Sequence, residues 1–259
     1  MRIDINTFIG AYPFRDAGEA SMAALAQQLE LVGVREAWVS NLPAMFWRDP
    51  AAGNASLAAA CDSVPGMRAV PAIHPGMPMW EVALDRAVDS GAPCVRCDPM
   101  FYGLAPRGPE LLALMKACGE RGIAVMMAVR LEDLRQRHPN DPVADLPPWA
   151  VRSLIRAHPT VRLIITHADR EFVEQVHFGS TPDEASRILW DICWIWGPPE
   201  DHLELLLRTI GADRFAFGTG APLRLPDNSA VKLELLDLDA VTASLLEHDN
   251  ARAFERRRT

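Results

Sequence analysis

The chain has 259 residues, a formal net charge of −8 and an apolar content of 49%. This length and composition support one large hydrophobic core or two smaller ones, and the negative charge gives no electrostatic footprint for nucleic acid. No apolar run approaches the roughly 20 residues that a membrane span requires. We therefore expect neither a nucleic acid nor a membrane as a partner.

The start of the first strand and the cysteine usage predict the compartment. A strand-like run begins at Arg2, which leaves no room for a signal peptide, so a cytoplasmic location is expected. The cysteines are odd in number and scattered, which favours reduced thiols over a disulfide framework. They are Cys61, Cys94, Cys97, Cys118 and Cys193.

In chain order, strand-like runs alternate with amphipathic stretches of helical spacing. The strands are predicted at Ile3–Phe8, Glu36–Ser40, Ala69–His74, Pro93–Asp98, Ile123–Val129, Val161–His167, Arg187–Cys193 and Arg214–Thr219. The helices are predicted at Gly18–Leu31, Ala51–Cys61, Met79–Ser90, Pro109–Arg121, Pro147–His158, Glu171–Gly179, Glu200–Ile210 and Leu238–Glu255. Eight alternating pairs in about 260 residues predict one α/β domain over residues 1–259, a (β/α)8 or TIM barrel. An open doubly wound sheet is the alternative.

Polar side chains occur at most of the predicted strand ends, which is where a barrel of this kind carries its chemistry. They are Asn6, Ser40, Asn41, His74, Arg96, Asp98, Arg130, His167, Asp191 and Thr219. Side chains alternate along a strand, so Arg96 and Asp98 share one face while Cys97 points away. Because a buried charge is costly unless it is paired, we expect a polar pocket with Asp98 paired to Arg96 or Arg130.

Seven segments, in this order, carry a family likeness: IDINTFIG, GNASLAAACDSVPGMRAVPAIHPG, SGAPCVRCDPMFYGLAP, ERGIAVMMAV, HPTVRLIITHAD, GADRFAFGTGAPL and HDNARAFE. Together they resemble the amidohydrolase-related branch of the amidohydrolase superfamily, and the likeness spans nearly the whole chain. The resemblance implies a TIM barrel, hydrolase chemistry and a homodimer. The tryptophan-rich segment 190–199 is a candidate for the dimer contact.

The resemblance also implies where a divalent metal would be held. In the family, two histidines of the first strand, one of the fifth and one of the sixth bind it, and an aspartate after the eighth strand is both ligand and base. These positions fall on Asn6, Phe8, Ala128, His167 and Gly220. Only His167 keeps the family's residue, whereas a catalytic zinc needs about three protein ligands and an open position. We therefore expect a degenerate metal site with no metal and no cofactor.

Two functional hypotheses follow. A metal-independent hydrolase would open a small anionic substrate such as a lactone, with a carboxylate or histidine as general base and an arginine steadying the substrate. A catalytically inactive pseudoenzyme would bind a small molecule or a protein partner instead. The candidate catalytic residues are Asp98, His167 and Asp191, and the candidate substrate-binding residues are Asn6, His74, Arg96, Arg130 and Thr219. The two hypotheses differ in the surroundings they predict for the catalytic candidates. A hydrolase requires them to meet in one open cleft, whereas a pseudoenzyme allows them to lie in packed surroundings.

A relocated metal site is a third hypothesis. Cys94 and Cys97 form a C-x-x-C sequence that Asp98 follows. On a strand these two cysteines face opposite sides, and neither a second cysteine pair nor a nearby histidine accompanies them. Two small apolar core residues explain the pair more simply.

Overall fold

Eight parallel strands form the centre of the computed structural model, which describes residues 1–18 and 21–255. The strands are β1 (Arg2–Ile9), β2 (Val34–Asn41), β3 (Met67–Ala69), β4 (Cys94–Arg96), β5 (Ala124–Ala128), β6 (Leu163–Thr166), β7 (Ile188–Asp191) and β8 (Phe215–Ala216). One sheet contains β1 to β3 and the other β4 to β8, each in chain order.

Backbone hydrogen bonds join the two sheets at both of their edges. Between the third and fourth strands, the Arg96 amide donates to the Pro71 carbonyl at 2.9 Å. Between the last and the first, the Gly220 amide donates to the Asn6 carbonyl at 2.8 Å. The strands therefore follow one another around a shared core in the order of a (β/α)8 fold, and the predicted TIM-barrel class is confirmed.

Helices connect the strands and cover the outer faces of the sheets. They are α1 (Met22–Leu31), α2 (Ala51–Asp62), α3 (Trp80–Asp89), α4 (Pro109–Arg121), α5 (Pro148–Ile155), α6 (Arg170–His177), α7 (Pro182–Ser186), α8 (His202–Ile210), α9 (Pro226–Leu235), α10 (Ala240–Ser244) and α11 (Asn250–Phe254). Gly122 ends α4 in a left-handed conformation, with φ 65°. In the part of the chain that the structure describes, no helix is both long and apolar enough to cross a membrane.

Two helices are present that the sequence analysis does not predict. The five residues of α7 are too few to show a helical period, although Thr181 and Glu184 form a capping box at its start. In α9, Val231 and Leu235 are exposed while the opposite side is buried, so apolar residues on both sides hide the period. Residues 19 and 20 of the predicted helix Gly18–Leu31 lie outside the described residues.

The third strand is shorter than predicted and lies earlier in the chain. It was expected at Ala69–His74, and it occupies Met67–Ala69. Pro71 has no N–H to donate to a ladder, which ends regular pairing there. Beyond it a single isolated bridge joins Ala72 to Arg96.

Apolar clusters fill the barrel interior below and above the strand ends. The lower cluster includes Ile3, Ile5, Trp38, Val70, Cys94, Ala124, Met126, Ile164, Leu189 and Ala216. The upper cluster contains Phe8, Tyr12, Leu42, Met45, Ala128, Leu131 and Leu223. A register shift in β1 between Asp4 and Thr7 lets Ile5 and Phe8, three positions apart, both face the interior. Polar side chains lie between these two clusters.

Candidate functional site

Arg96 is the hub of the buried polar side chains at the carboxyl ends of the strands. It is 1% exposed, its Nε donates to Ser40 Oγ at 2.9 Å, and its Nη2 donates to Asn6 Oδ1 at 2.9 Å. Its guanidinium lies 4.6 Å from the centre of the Phe8 ring, which adds a cation–π contact. We call Asn6, Ser40, Arg96, Asp98 and Asp191 the polar centre.

Asp98 links β4 to β5 within the polar centre. Its Oδ1 accepts a hydrogen bond of 2.6 Å from the Ala128 amide, and its Oδ2 lies 3.7 Å from Arg96 Nη1. The predicted pairing of Asp98 with Arg96 is therefore confirmed. Burial raises the pKa of Asp98, while the charge of Arg96 and the Ala128 amide oppose that rise. Both carboxylate oxygens are engaged by the protein itself.

Asp191 links β7 to β1 and to the end of β6. Its Oδ2 accepts from Asn6 Nδ2 at 2.7 Å, and its Oδ1 accepts from the His167 amide at 3.0 Å. Burial raises the pKa of Asp191, while hydrogen bonds from Cys193, Asn6 and the His167 amide lower it. Like Asp98, this carboxylate holds neighbouring strands together.

His167 lies directly beside the polar centre and is fully buried. Its backbone is left-handed, with φ 58°, a conformation that is uncommon for residues other than glycine. Its Nδ1 lies 3.3 Å from Thr166 Oγ1, and its ring lies between Phe8 and Trp194, with centroid distances of 6.2 and 5.8 Å. Burial, and then the charges of nearby arginines, hold the pKa of His167 well below its usual range, so the imidazole is neutral at pH 7.

Two other predicted binding residues bind partners outside the polar centre. Thr219 Oγ1 donates to Asp4 Oδ2 at 2.6 Å, so its hydroxyl is used within the core. Arg130 donates to Asp145 Oδ2 at 2.7 Å and to Asp169 Oδ2 at 2.6 Å. Its charge is thus matched by two carboxylates of the protein.

His74 lies apart from the other predicted residues. It stacks on Tyr102 with ring centroids 4.3 Å apart, and its Nδ1 accepts from the Gly76 amide at 3.1 Å. It lines a separate cavity of about 370 Å³ together with Trp80. Burial lowers the pKa of His74.

Asp4 is a buried carboxylate that the sequence analysis did not select. It accepts hydrogen bonds from the amides of Asn6 and Thr219 at 3.0 and 3.1 Å, in addition to the Thr219 hydroxyl. Burial raises its pKa to about 7, although those hydrogen bonds act in the opposite direction. Its position between the apolar residues Ile3 and Ile5, in a strand that is buried, was the signal that could have identified it.

The side chains at the family's metal positions do not form a donor set for a divalent ion. Both polar atoms of the Asn6 side chain are bound to Asp191 and Arg96, and Phe8 and Ala128 have no donor atoms. A Cβ on Gly220 would lie 3.1 Å from His167 Nε2, so the family's aspartate position faces the histidine but has no side chain here. Among residues 1–18 and 21–255, no three or more His, Cys, Asp or Glu side chains are arranged to hold a metal.

The C-x-x-C pair does not supply an alternative site. All five cysteines are buried and unpaired. Cys94 belongs to the cluster inside the barrel, whereas Cys97 belongs to the cluster between the strands and the outer helices. The two sulfur atoms therefore lie on opposite sides of the strand layer, as alternation predicts.

The polar centre is closed to solvent. Asn6, Asp98, His167 and Asp191 are each at most 2% exposed, and the upper apolar cluster lies over them. Two loops meet above this cluster, where Arg15 Nε donates to Glu132 Oε1 at 2.8 Å. The catalytic candidates thus meet in one place, but in packed surroundings and not in an open cleft.

An open cavity of about 500 Å³ lies beside the polar centre, between the segment after β7 and helix α9. We call it the Trp194 cavity; Cys193, Trp194, Trp196, Arg224 and Lys232 are among the residues that line it. The Arg224 guanidinium stacks 3.5 Å above the centre of the Trp194 ring. The sequence analysis missed Arg224 because it follows the last predicted strand end, in a loop whose contacts the pattern does not indicate.

Four buried side-chain nitrogen atoms in the described part of the chain have no hydrogen-bond partner: Arg96 Nη1, Arg137 Nε, His167 Nε2 and Arg224 Nε. Arg96 Nη1 has the ion-pair contact with Asp98, and the Arg137 guanidinium donates through its other nitrogens. An ideal Cβ at Gly220 would lie 3.1 Å from His167 Nε2 and 3.6 Å from Arg224 Cδ, so these two side chains are close to each other. A buried polar atom without a partner is costly, so both side chains carry a polar atom that the described residues leave unsatisfied.

Comparison with known proteins identifies the family and the fold. A family model described as amidohydrolase matches residues 12–254. An uncharacterized TIM-barrel protein from Bordetella bronchiseptica is 16% identical, with a TM-score of 0.70 over 98% of this chain and 97% of that one. A dihydroxybenzoic acid decarboxylase from Polaromonas, solved with bound manganese, is 12% identical, with a TM-score of 0.74 over 98% and 96%.

A third structure belongs to a protein from Acinetobacter baumannii assigned as a 2-pyrone-4,6-dicarboxylic acid hydrolase. It is 10% identical, with a TM-score of 0.67 over 98% of each chain. No curated protein sequence matches this chain. At these identities the structural matches establish the barrel fold and leave the reaction open.

Proposed function

We propose, from the premise that this chain belongs to the amidohydrolase family, that it is a non-hydrolytic member that binds a small anionic molecule. One observation carries the proposal: the carboxylates expected to act as bases bind other side chains and amides of the barrel and are at most 2% exposed. A general base must reach a water molecule or a substrate proton. Asp98 and Asp191 have neither free acceptor geometry nor access.

The former metal position supports the same proposal. The family's ligands are reduced to His167, and the positive guanidinium of Arg96 lies among the remaining polar groups. A second cation in that low-dielectric interior would be repelled by this guanidinium. We therefore interpret the centre as a degenerate metal site in which an arginine supplies the positive charge that the carboxylates require.

Metal-independent hydrolysis is the second candidate, and His167 Nε2 is the observation that favours it. This nitrogen has no partner and belongs to a neutral imidazole, so it could accept a proton from water. The water oxygen would attack the lactone carbonyl carbon, the ring C–O bond would break, and the leaving oxygen would take the proton back. A Cβ at position 220 would lie only 3.1 Å from Nε2, so a side chain there would crowd this nitrogen.

Turnover of small lactones distinguishes the two candidates. The purified chain is incubated with aliphatic and aromatic lactones, with and without chelator, and ring opening is followed by mass spectrometry. We expect no rate above that of a His167→Asn variant. Ring opening that persists in chelator and is lost in the variant would establish the second candidate and contradict the first.

Elemental analysis tests the degenerate-site interpretation separately. After dialysis against metal-free buffer, we expect zinc, manganese and iron each far below one ion per chain. Near-stoichiometric metal that disappears in His167→Asn would show that other ligands rebuild the site. A metal that remains in the variant would lie elsewhere on the chain.

The assembly and the compartment stay predictions. The family resemblance implies a homodimer, and Trp196, in the candidate contact segment, is 54% exposed. Light scattering coupled to size exclusion measures the molar mass directly. The cytoplasmic location likewise awaits a fractionation experiment.

A further inference from the structure

Two loops cover the upper apolar cluster at the carboxyl ends of the strands. The first loop, residues 10–18, follows β1, and the second, residues 129–147, follows β5. Tyr12 of the first loop and Leu131 of the second belong to the upper apolar cluster, and Phe14 packs against it. The side chains that close this end of the barrel therefore come from loops. We call these two loops the rim lid.

Arg15, in the first loop of the rim lid, binds two other segments at this end of the barrel. Its Nε donates to Glu132 Oε1 at 2.8 Å, and its Nη2 lies 2.7 Å from the same oxygen. Nη2 also donates to the Leu223 carbonyl at 2.8 Å. Leu223 follows β8, so one side chain connects the loops after the first, fifth and eighth strands.

The Glu132 carboxylate is neutralised across the gap between the two loops. Glu132 is 6% exposed, and Arg15 is the one cation that forms an ion pair with it among residues 1–18 and 21–255. A buried carboxylate that loses its cation is strongly destabilised. It regains favourable surroundings by moving into water, which requires its loop to move outward. The closed position of the rim lid therefore depends on this ion pair.

The other contacts between the two loops are uncharged or long. The Tyr12 hydroxyl donates to Asp141 Oδ2 at 3.4 Å, near the upper limit for a hydrogen bond. The rings of Phe14 and His138 stack with centroids 5.9 Å apart. Within the described part of the chain, the ion pair of Arg15 is thus the one charge-neutralising contact that joins the two loops.

We infer that the rim lid opens and closes over the upper apolar cluster, and that Arg15 is the latch that holds it closed. An open lid admits a small molecule to this cluster, where the Phe8 ring lies against the ring of His167 with centroids 6.2 Å apart. Entry from this end of the barrel therefore requires the latch to release. The inference goes beyond the proposed function, because it concerns access to the interior and not the identity of the bound molecule.

Oxidation by hydrogen peroxide measures lid opening through three methionines of the unmodified protein. Peroxide transfers one oxygen atom to a methionine sulfur and is itself reduced to water. Met45 is fully buried in the upper apolar cluster, Met126 is fully buried in the lower one, and Met79 is 69% exposed. Mass spectrometry of the digested protein gives the rate at each position. We expect Met45 to be oxidised more slowly than Met79 and faster than Met126, because opening the lid does not require unfolding of the barrel.

Two arginine variants test the latch. Arg15→Gln leaves the Glu132 carboxylate without its cation, so the rate at Met45 is expected to rise by at least about tenfold and the rate at Met126 by less than about twofold. Arg135→Gln is the matched control, because it makes the same substitution in the second loop. Arg135 is exposed and pairs with Asp133 of its own loop, so both rates are expected to change by less than about twofold.

A third variant, Glu132→Gln, tests the reason for the effect. It removes the same ion pair but leaves no buried carboxylate behind. The Arg15 side chain is 40% exposed and keeps its hydrogen bond to the Leu223 carbonyl. The rate at Met45 is therefore expected to rise less than in Arg15→Gln.

Three results would overturn the inference. An unchanged rate at Met45 in Arg15→Gln would show that Arg15 is not a latch. Equal increases at Met45 and Met126 would show that the substitution destabilises the whole barrel. If Arg15→Gln does not fold, the unmodified protein decides, because oxidation of Met45 no faster than that of Met126 contradicts a lid that opens. None of these results depends on turnover, on metal content or on a bound ligand.

Discussion

The polar centre and the Trp194 cavity are neighbours with opposite hydrogen-bonding states. In the polar centre, Asp98 and Asp191 accept hydrogen bonds from amides and side chains of the barrel itself. Arg224 Nε at the wall of the cavity, and His167 Nε2 beside the polar centre, have no partner in the part of the chain that the structure describes. The side chains of the polar centre therefore hold the barrel together, whereas His167 and Arg224 each have a nitrogen atom that no described residue binds.

Titratable residues at the end of a barrel strand are therefore not automatically catalytic. A buried carboxylate needs a cation or several hydrogen-bond donors, and here the protein itself provides them. Arg96 is the cation that pairs with Asp98. Four predictions test this division, beginning with the largest expected effect.

Arg96→Met should be the most damaging single change. It leaves Asn6 Oδ1 and the Asp98 carboxylate without their cationic donor in a closed interior, and breaking a buried ion pair costs about 3–5 kcal/mol. Urea denaturation gives the free energy of unfolding, with Arg135→Met, a change at an exposed arginine, as control. A loss below about 1 kcal/mol would mean that Arg96 does not stabilise the centre.

Asp191→Asn should lower the free energy of unfolding by about 1–3 kcal/mol, because an amide places a donor against the Asn6 amide or the His167 N–H. The exchanged pair, Asn6→Asp with Asp191→Asn, restores one donor and one acceptor. We expect it to recover part of the loss, whereas Asp237→Asn on the surface changes little. An exchanged pair less stable than either single variant would contradict the assigned hydrogen bond.

Asp4 should make stability fall as pH rises from about 5 to 7. Its pKa in the folded protein is raised to about 7 from the usual 3.8, so in this interval the folded state holds a proton that the unfolded state has released. The slope from one such proton is at most about 1.4 kcal/mol per pH unit. In Asp4→Asn this contribution should vanish; a variant with the parent's pH dependence would assign the slope to other carboxylates.

Arg130→Gln should have the smallest effect on stability. Arg130 is paired with Asp145 and Asp169, both partly exposed, so we expect the free energy of unfolding to fall by about 1 kcal/mol. Urea denaturation of this variant beside Arg96→Met measures the difference. A loss as large as that of Arg96→Met would contradict the distinction between the polar centre and its surroundings.

The strands were predictable because most are short runs rich in apolar residues between turn residues, and their alternation with helices indicated the fold class. The length of β3 was not predictable, because it depends on the missing N–H of Pro71. Helix α9 was not predictable, because some of its apolar residues face solvent. Both features become clear only from contacts with neighbouring elements, which the periodicity of one segment does not show.

The candidate site was predictable in part for a related reason. Asn6, Asp98, His167 and Asp191 end strands, and parallel strands end at one rim, so their convergence follows from the fold. Whether a residue there is satisfied or unsatisfied depends on its partners, which come from distant segments. Arg224 becomes informative only when Trp194, 30 positions earlier, is known to lie under it.

The left-handed backbone at His167 has a consequence for mutational scanning of this chain. The φ of 58° directs the residue's N–H to Asp191, and β-branched side chains adopt that conformation at the greatest cost. Substitution tolerance at this position will therefore be ranked by backbone shape, with Gly and Asn best accepted and Val and Ile worst. A scan that scores protein abundance will mark the position as sensitive whether or not the imidazole has a function. Only a scan that scores binding will separate the role of the imidazole from the requirement for this backbone conformation.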